Sequence, residues 1–256
     1  DGGNMWVSNA GDGSVTKLRA SDGANLGTFA VGPDPRAVAF DGKNIWVANF
    51  GSNSVSKLSA DNGTTLATII VGDRPWGLTF DGTHMWVACW QANSVVKIRA
   101  SDNQIIGSVS VSSPLGLAFD GSNVWAALNG GSGRAAKISG TGSPRVLGEF
   151  NAGGFPGFIT FDGSSIWVSN SGTGDLTKLR ATDGSNQGTF PGGGVNNSGA
   201  AAFDGTNLWV VGGSLLKLRP SDGQVLASFP ISGGTIAFDG ANIWATDLSG
   251  NTVTKH

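Results

Sequence analysis

PRAVAFDGKNIWVANFGSNSVSKLSADNGTTLATIIV, Pro35 to Val71, contains four apolar runs separated by Asp-Gly, Gly-Ser-Asn and Asp-Asn-Gly. The runs AVAF, IWVAN, SVSKLS and TLATIIV are strand-sized, rich in β-branched and aromatic residues, and bounded by turn formers. They are called A, B, C and D below. The same pattern spreads along the chain. An Asp precedes a Trp by five residues at Asp1/Trp6, Asp41/Trp46, Asp81/Trp86, Asp120/Trp125, Asp162/Trp167, Asp204/Trp209 and Asp239/Trp244. A period of roughly forty residues with four short strands per unit predicts an all-β propeller of four-stranded blades.

B and C occur seven times, but A and D six, because A is missing before Trp6 and D after Lys255. Seven blades is the preferred reading. The alternative is six blades, closed by pairing the last A, B and C strands with the first D strand, Leu26 to Val31. Repeat units share neighbours and do not fold singly, so residues 1–256 are expected to form one closed domain. The chain opens and closes inside a repeat, which points to processing or truncation.

Composition narrows the function classes. Charged residues are 13% of the chain, and 16 Lys and Arg face 18 acids. That balance offers no basic face for a phosphate backbone, so a nucleic-acid partner is not expected. Apolar runs such as Leu66 to Val71 are far short of the roughly 20 residues needed to span a bilayer. Membrane insertion is not expected either. The single Cys89 allows no internal disulfide and reads as a buried, inert thiol. Low charge and abundant turn residues suggest a secreted or periplasmic protein.

The repeated residues have structural explanations. Asp-Gly between A and B, and Asp-Gly or Asn-Gly between C and D, suit tight turns in which glycine takes positive φ. The carboxylates lack the dense spacing of a calcium loop. The third residue of strand A is always small, and the fourth is always Phe: Phe40, Phe80, Phe119, Phe161, Phe203 and Phe238. These rings and the periodic Trp are expected to form the core between blades. A Lys in every C strand, from Lys17 to Lys255, is expected to form a charge belt with the periodic Asp.

WVSN (Trp6 to Asn9), WVAN (Trp46 to Asn49) and WVSN (Trp167 to Asn170) resemble the YVTN tetrapeptide with Trp in place of Tyr. The segment from Pro35 to Leu58 resembles the NHL, YVTN and streptogramin-lyase-like propeller repeats, and the resemblance extends over nearly the whole chain. It implies the fold and leaves the function open, since such propellers host enzymes, lectins and scaffolds. Streptogramin lyases use histidine and a metal on the loop face. Here only His84 and His256 exist, and His84 falls in an A-to-B turn. No catalytic residue, metal ligand or cofactor is assigned. Glu149 is the only glutamate, so a glutamate pair for acid and base is absent.

Subtracting the repeat leaves residues peculiar to single units. On the face formed by the D-to-A and B-to-C loops these are Arg36, Phe50, Arg74, Trp76, Trp90, Arg134, Phe155, Asn196 and Asn197. Trp76 and Trp90 are the tryptophans outside the periodic set, in the strings GDRPWGL and ACWQAN, with Gln91 beside them. Arg36, Phe50, Arg74, Trp76, Trp90, Gln91 and Phe155 are the candidate ligand-binding residues, suited to a glycan, peptide or protein. The leading expectation is a non-catalytic binding or scaffold propeller. Alternatives are a metal-assisted lyase or hydrolase of the streptogramin-lyase type, and an amplified or designed repeat with no specific ligand.

Overall fold

The computed structural model describes residues 1–131, 133–192 and 199–256. The expectations for Asn196 and Asn197 fall outside these residues. The described strands form seven antiparallel sheets, five of four strands and two of three. The first sheet holds β1 (Asn4–Asn9), β2 (Ser14–Arg19) and β3 (Asn25–Ala30). The second holds β4 (Pro35–Phe40), β5 (Asn44–Asn49), β6 (Ser54–Ser59) and β7 (Thr65–Ile70). The third holds β8 (Pro75–Phe80), β9 (His84–Cys89), β10 (Ser94–Arg99) and β11 (Ile105–Ser110). The fourth holds β12 (Pro114–Phe119), β13 (Asn123–Leu128), β14 (Arg134–Ser139) and β15 (Val146–Asn151).

The fifth sheet consists of β16 (Pro156–Phe161), β17 (Ser165–Asn170), β18 (Asp175–Arg180) and β19 (Asn186–Pro191). The sixth consists of β20 (Ala201–Phe203), β21 (Leu208–Val211), β22 (Leu215–Leu218) and β23 (Val225–Phe229). The seventh has β24 (Ile236–Phe238), β25 (Ile243–Asp247) and β26 (Thr252–Lys255). The six-blade alternative needed the Leu26 to Val31 strand to pair with the last three strands. Instead β3 pairs with β2, in a sheet of its own with β1. Two compact units are seen, Asp1–Leu117 with Ser139–Arg145, and Ala118–Ile138 with Val146–His256.

Register explains which residue types recur. Trp46 sits opposite Lys57 on one side and Ala39 on the other, and Trp86 opposite Lys97 and Thr79. The strand-A residue must be small because an indole fills the adjacent space. Strand D is small at the same level: Gly27, Ala67, Gly107, Gly148 and Gly188 face the successive lysines. The buried layers then lie between neighbouring blades. In the first unit Trp46 packs with Met85, Val87 and Ile98 of the next sheet; in the second Trp167 packs with Leu208, Val210 and Leu218.

Two expectations are corrected here. The strand-A phenylalanines supply only part of that core: Phe80 and Phe161 are half-buried and pack against the buried clusters, whereas Phe40 and Phe238 are 37% and 36% exposed. They stand at the end of the strand, beside the Asp-Gly turn. The rings tilted against tryptophan come from strand D, with Phe29 on Trp6, Phe150 on Trp125 and Phe190 on Trp167 at 5.2–5.6 Å between centroids.

The lysine belt is also different from the one expected. Among the described residues no Lys–Asp ion pair joins Lys17, Lys57, Lys97, Lys137, Lys178 or Lys217 to the periodic Asp41, Asp81, Asp120, Asp162, Asp204 or Asp239. Each lysine lies over its cross-strand indole, as Lys97 does over Trp86 at 4.8 Å, and Lys17, Lys57, Lys97, Lys137 and Lys178 point their ammonium groups at backbone carbonyls about one repeat onward. Lys57 Nζ donates to Ala100 O at 2.6 Å, Lys97 to Gly140 O at 2.9 Å and Lys137 to Ala181 O at 2.6 Å. Burial drives this, for Lys97 is 2% exposed and a buried ammonium must find acceptors. The carboxylate is spent elsewhere. Asp41 Oδ1 accepts the amides of Lys43 and Asn44, and Oδ2 accepts Trp46 Nε1 at 2.7 Å. Gly42 completes the turn at φ +93°, a conformation that favours glycine.

At the other end of the strands, the last residue of strand B anchors the D-to-A loop. The fully buried Asn49 accepts Gly32 N at 3.2 Å and donates to Ser54 Oγ and Ser56 Oγ. Asn170 does the same with Gly153, Asp175 and Thr177. A Cβ on Gly32 would fall 2.7 Å from Asn49 Cβ, so the loop glycine is fixed by close approach. Asn49→Ala strands a buried amide and should cost about 2 kcal/mol. Urea unfolding would show a lower midpoint at an unchanged slope.

Candidate functional site

The loops of the second and third blades are tied by backbone hydrogen bonds. Phe50 N donates to Asp34 O, and Trp90 N to Arg74 O, both at 3.0 Å. The residue after strand B is therefore held against the residue before the strand-A proline. Asp34 and Arg74 take φ of 51° and 54°, a left-handed conformation costing a non-glycine residue of order 1–3 kcal/mol. Their surroundings enforce it. Arg74 N donates to Asn53 Oδ1 at 3.0 Å while its carbonyl takes the Trp90 amide.

These constraints bring five of the candidate residues into one cluster. Phe50 is its centre, edge-on to Trp76 at 5.5 Å and stacked with Trp90 at 6.2 Å. The Arg36 guanidinium lies 5.2 Å from the Phe50 ring and 4.8 Å from Trp76. Arg74 lies 5.2 Å from Phe50 and 5.8 Å from Trp90. Cations and rings thus alternate, each contact worth about 0.5–1 kcal/mol where water reaches it. Arg36 is also paired with Asp34 at 2.8 Å, while its Nε is buried with no hydrogen-bond partner.

The equivalent positions in the fourth and fifth blades do not make such a cluster. Where the second and third blades have Arg36 with Phe50 and Trp76 with Trp90, the next two have Leu115 with Asn129 and Gly157 with Ser171. The aromatic–arginine cluster is therefore a local departure from the repeat.

The chain matches no protein-family model, and no curated protein matches its sequence. Solved structures do match. A catalytically inactive variant of virginiamycin B lyase from Staphylococcus aureus, with quinupristin, has a TM-score of 0.84 at 17% identity, covering 100% of this chain and 91% of that one. Kuenenia stuttgartiensis hydrazine synthase has a TM-score of 0.81 at 20% identity, covering 100% and 92%. A functionally unknown protein from Desulfotomaculum acetoxidans DSM 771 has 0.79 at 13%, covering 98% and 94%. The fold is a seven-bladed, streptogramin-lyase-like β-propeller.

On this propeller the cluster lies at the end of the strands away from the Asp-Gly turns. His84 opens β9 and sits 3.1 Å from Asp81 in such a turn, whereas Trp90 follows the strand's last residue. The six intervening strand residues span roughly 20 Å. Cys89 is wholly buried at the end of β9, and burial pushes its thiol up to about 11, which leaves it unreactive at neutral pH.

Two other candidates stand apart from the cluster. Gln91 is exposed in the turn after Trp90, where its carbonyl takes an Asn93 contact at 3.5 Å. Phe155 belongs to the second unit, 52% exposed, with its carbonyl accepting Ser171 N and Oγ. Two residues escaped the sequence reading, Asp34 and Asn53. Asn53 does carry a signal, since Gly13, Gly133 and Gly174 fill its place in other blades and asparagine is among the few residues that tolerate that backbone.

Proposed function

We propose that this propeller is a binding module that holds a glycan, peptide or protein segment against the Arg36–Phe50–Arg74–Trp76–Trp90 cluster. The observation behind this reading is that five residues foreign to the repeat meet on one side of two adjacent blades. Trp and Arg are the residue types that dominate binding energy at interfaces. A fold likeness at 17% identity carries no catalytic role to any residue here.

Glycan and peptide arrays probed with the full chain would supply ligands. Trp90→Ala and Trp76→Ala should each weaken the ligands found by about tenfold or more. Thermal melting would confirm that the variants stay folded. Wild-type affinity in both variants for every ligand would dismiss the site.

A further inference from the structure

The ligand class can be narrowed on top of that binding reading. We infer that the site takes a carboxylate presented by an acidic peptide segment, and that the Arg74 guanidinium grips it. Five of the eight arginines have a carboxylate oxygen within 2.8–3.3 Å: Arg19, Arg36, Arg99, Arg180 and Arg219. Among the described residues Arg74 has none. It is exposed, and the rings of Phe50 and Trp90 contact its guanidinium. Rings so placed restrict the orientation of the group and leave its N–H edges to solvent. Such a fork matches the two oxygens of a carboxylate.

The backbone beneath it is fixed at both ends, by Asn53 on the amide and Trp90 on the carbonyl. The donor is therefore partly ordered before any ligand arrives, which lowers the entropy cost of binding. Charge selects among anions. Asp34 already answers Arg36 at 2.8 Å, so Arg74 is the guanidinium of the cluster with no carboxylate on it, and the exposed Asp73 beside it in sequence weighs against a ligand of higher negative charge. A monoanion suits that balance better than a phosphate dianion.

The rings favour peptide over sugar. Stacking a pyranose needs open aromatic faces, but Phe50 is contacted by both guanidinium groups and each Trp by one. The exposed Arg74 guanidinium is flanked by Phe50 and Trp90, which fits an acidic side chain next to an apolar one.

The test selects a phage-displayed dodecapeptide library on the immobilised full chain, with oligogalacturonate and a neutral cello-oligosaccharide as parallel probes. Enriched peptides should share an Asp or Glu. By calorimetry, Arg74→Gln should weaken them at least about tenfold, and Arg74→Lys nearly as much, since an ammonium lacks the planar fork. Changing the peptide acid to its amide should give a similar loss, and the two changes together should cost less than their sum. That peptide-side measurement stands even if an Arg74 variant folds poorly.

Enriched peptides without an acid, or with wild-type affinity for Arg74→Gln, would overturn the inference. If such peptides still depend on Trp90, the binding module survives. Selective binding of oligogalacturonate with no peptide enriched would likewise overturn the peptide assignment. No binding by any probe would remove both readings.

Discussion

Asp81→Ala is expected to destabilise the protein by about 4 kcal/mol, more than any other single carboxylate-to-alanine change in the third blade. The Asp81 side chain is 6% exposed and makes hydrogen-bond contacts with four groups, one of them His84 Nδ1 at 3.1 Å. Its Oδ1 accepts the amides of His84 at 2.7 Å and Thr83 at 2.9 Å, and its Oδ2 accepts Trp86 Nε1 at 2.7 Å. Alanine would leave a buried indole N–H and two turn amides without their acceptor. Hydrogen bonds to a charged group contribute about 1.5–3 kcal/mol each, and they share one turn, so their sum is not reached. The loss would spread to Lys97, which draws favourable charge interaction from Asp81 while resting over the same indole.

Asp81→Asn keeps an acceptor and should lose about half as much. Asp102→Ala supplies the control, because its carboxylate is about 43% exposed and pairs only with Arg99 and the Gln104 amide. Equilibrium unfolding followed by tryptophan fluorescence measures all three. Equal costs for Asp81→Ala and Asp102→Ala would refute the account of the turn as a buried clasp.

The architecture was legible because its causes recur. The fixed interval from Asp to Trp, the small third residue of strand A and the turn glycines all reflect backbone and register constraints, so every blade repeats them. The lysine partners were hidden for an opposite reason. Lys57 and Lys137 reach carbonyls 43 and 44 residues onward, and a backbone acceptor leaves no trace in residue identity. The Phe assignment held only in part, because strand-D rings such as Phe190 meet the indole while Phe40, at the end of its strand, is 37% exposed.

The members of the cluster were legible by residue type, and their contacts only from geometry. Arg36, Phe50, Arg74, Trp76 and Trp90 stood out as departures from the repeat. Asp34 and Asn53 did not, because Asp and Asn are ordinary turn residues and nothing local distinguishes one that supports an arginine. Phe155 has the same departure in type, yet its neighbours are Gly154, Gly172 and Ser171 of its own blade. Aromatic identity alone does not make a cluster without partners at the adjoining repeat positions.

Acid should unfold the protein steeply between about pH 4 and pH 2. The Asp41, Asp81, Asp162, Asp204 and Asp239 carboxyls all lie below their ordinary value of 3.8, Asp239 at about 2. Burial pushes each one up, but the indole N–H and the turn amides together outweigh it. A folded value below the unfolded one means the stabilisation is present above about pH 4 and is lost as pH falls through the folded values. Five carboxylates titrate in one window, each clasping its own tryptophan, so the losses accumulate where a lone clasp would be tolerated. The shifts at Lys57 and Lys97, caused first by burial, act near the ordinary lysine value and leave the acid limb untouched. Melting temperature should therefore drop steeply below about pH 4, after a shallower decline below about pH 6.5 where His256, held below its ordinary value by burial, is driven toward its charged form. Asp81→Asn removes one titrating clasp and should flatten the drop, whereas Asp102→Asn, at a screened and exposed carboxylate, should leave it nearly unchanged. Identical acid limbs for the wild type and Asp81→Asn would place the acid sensitivity outside the clasps.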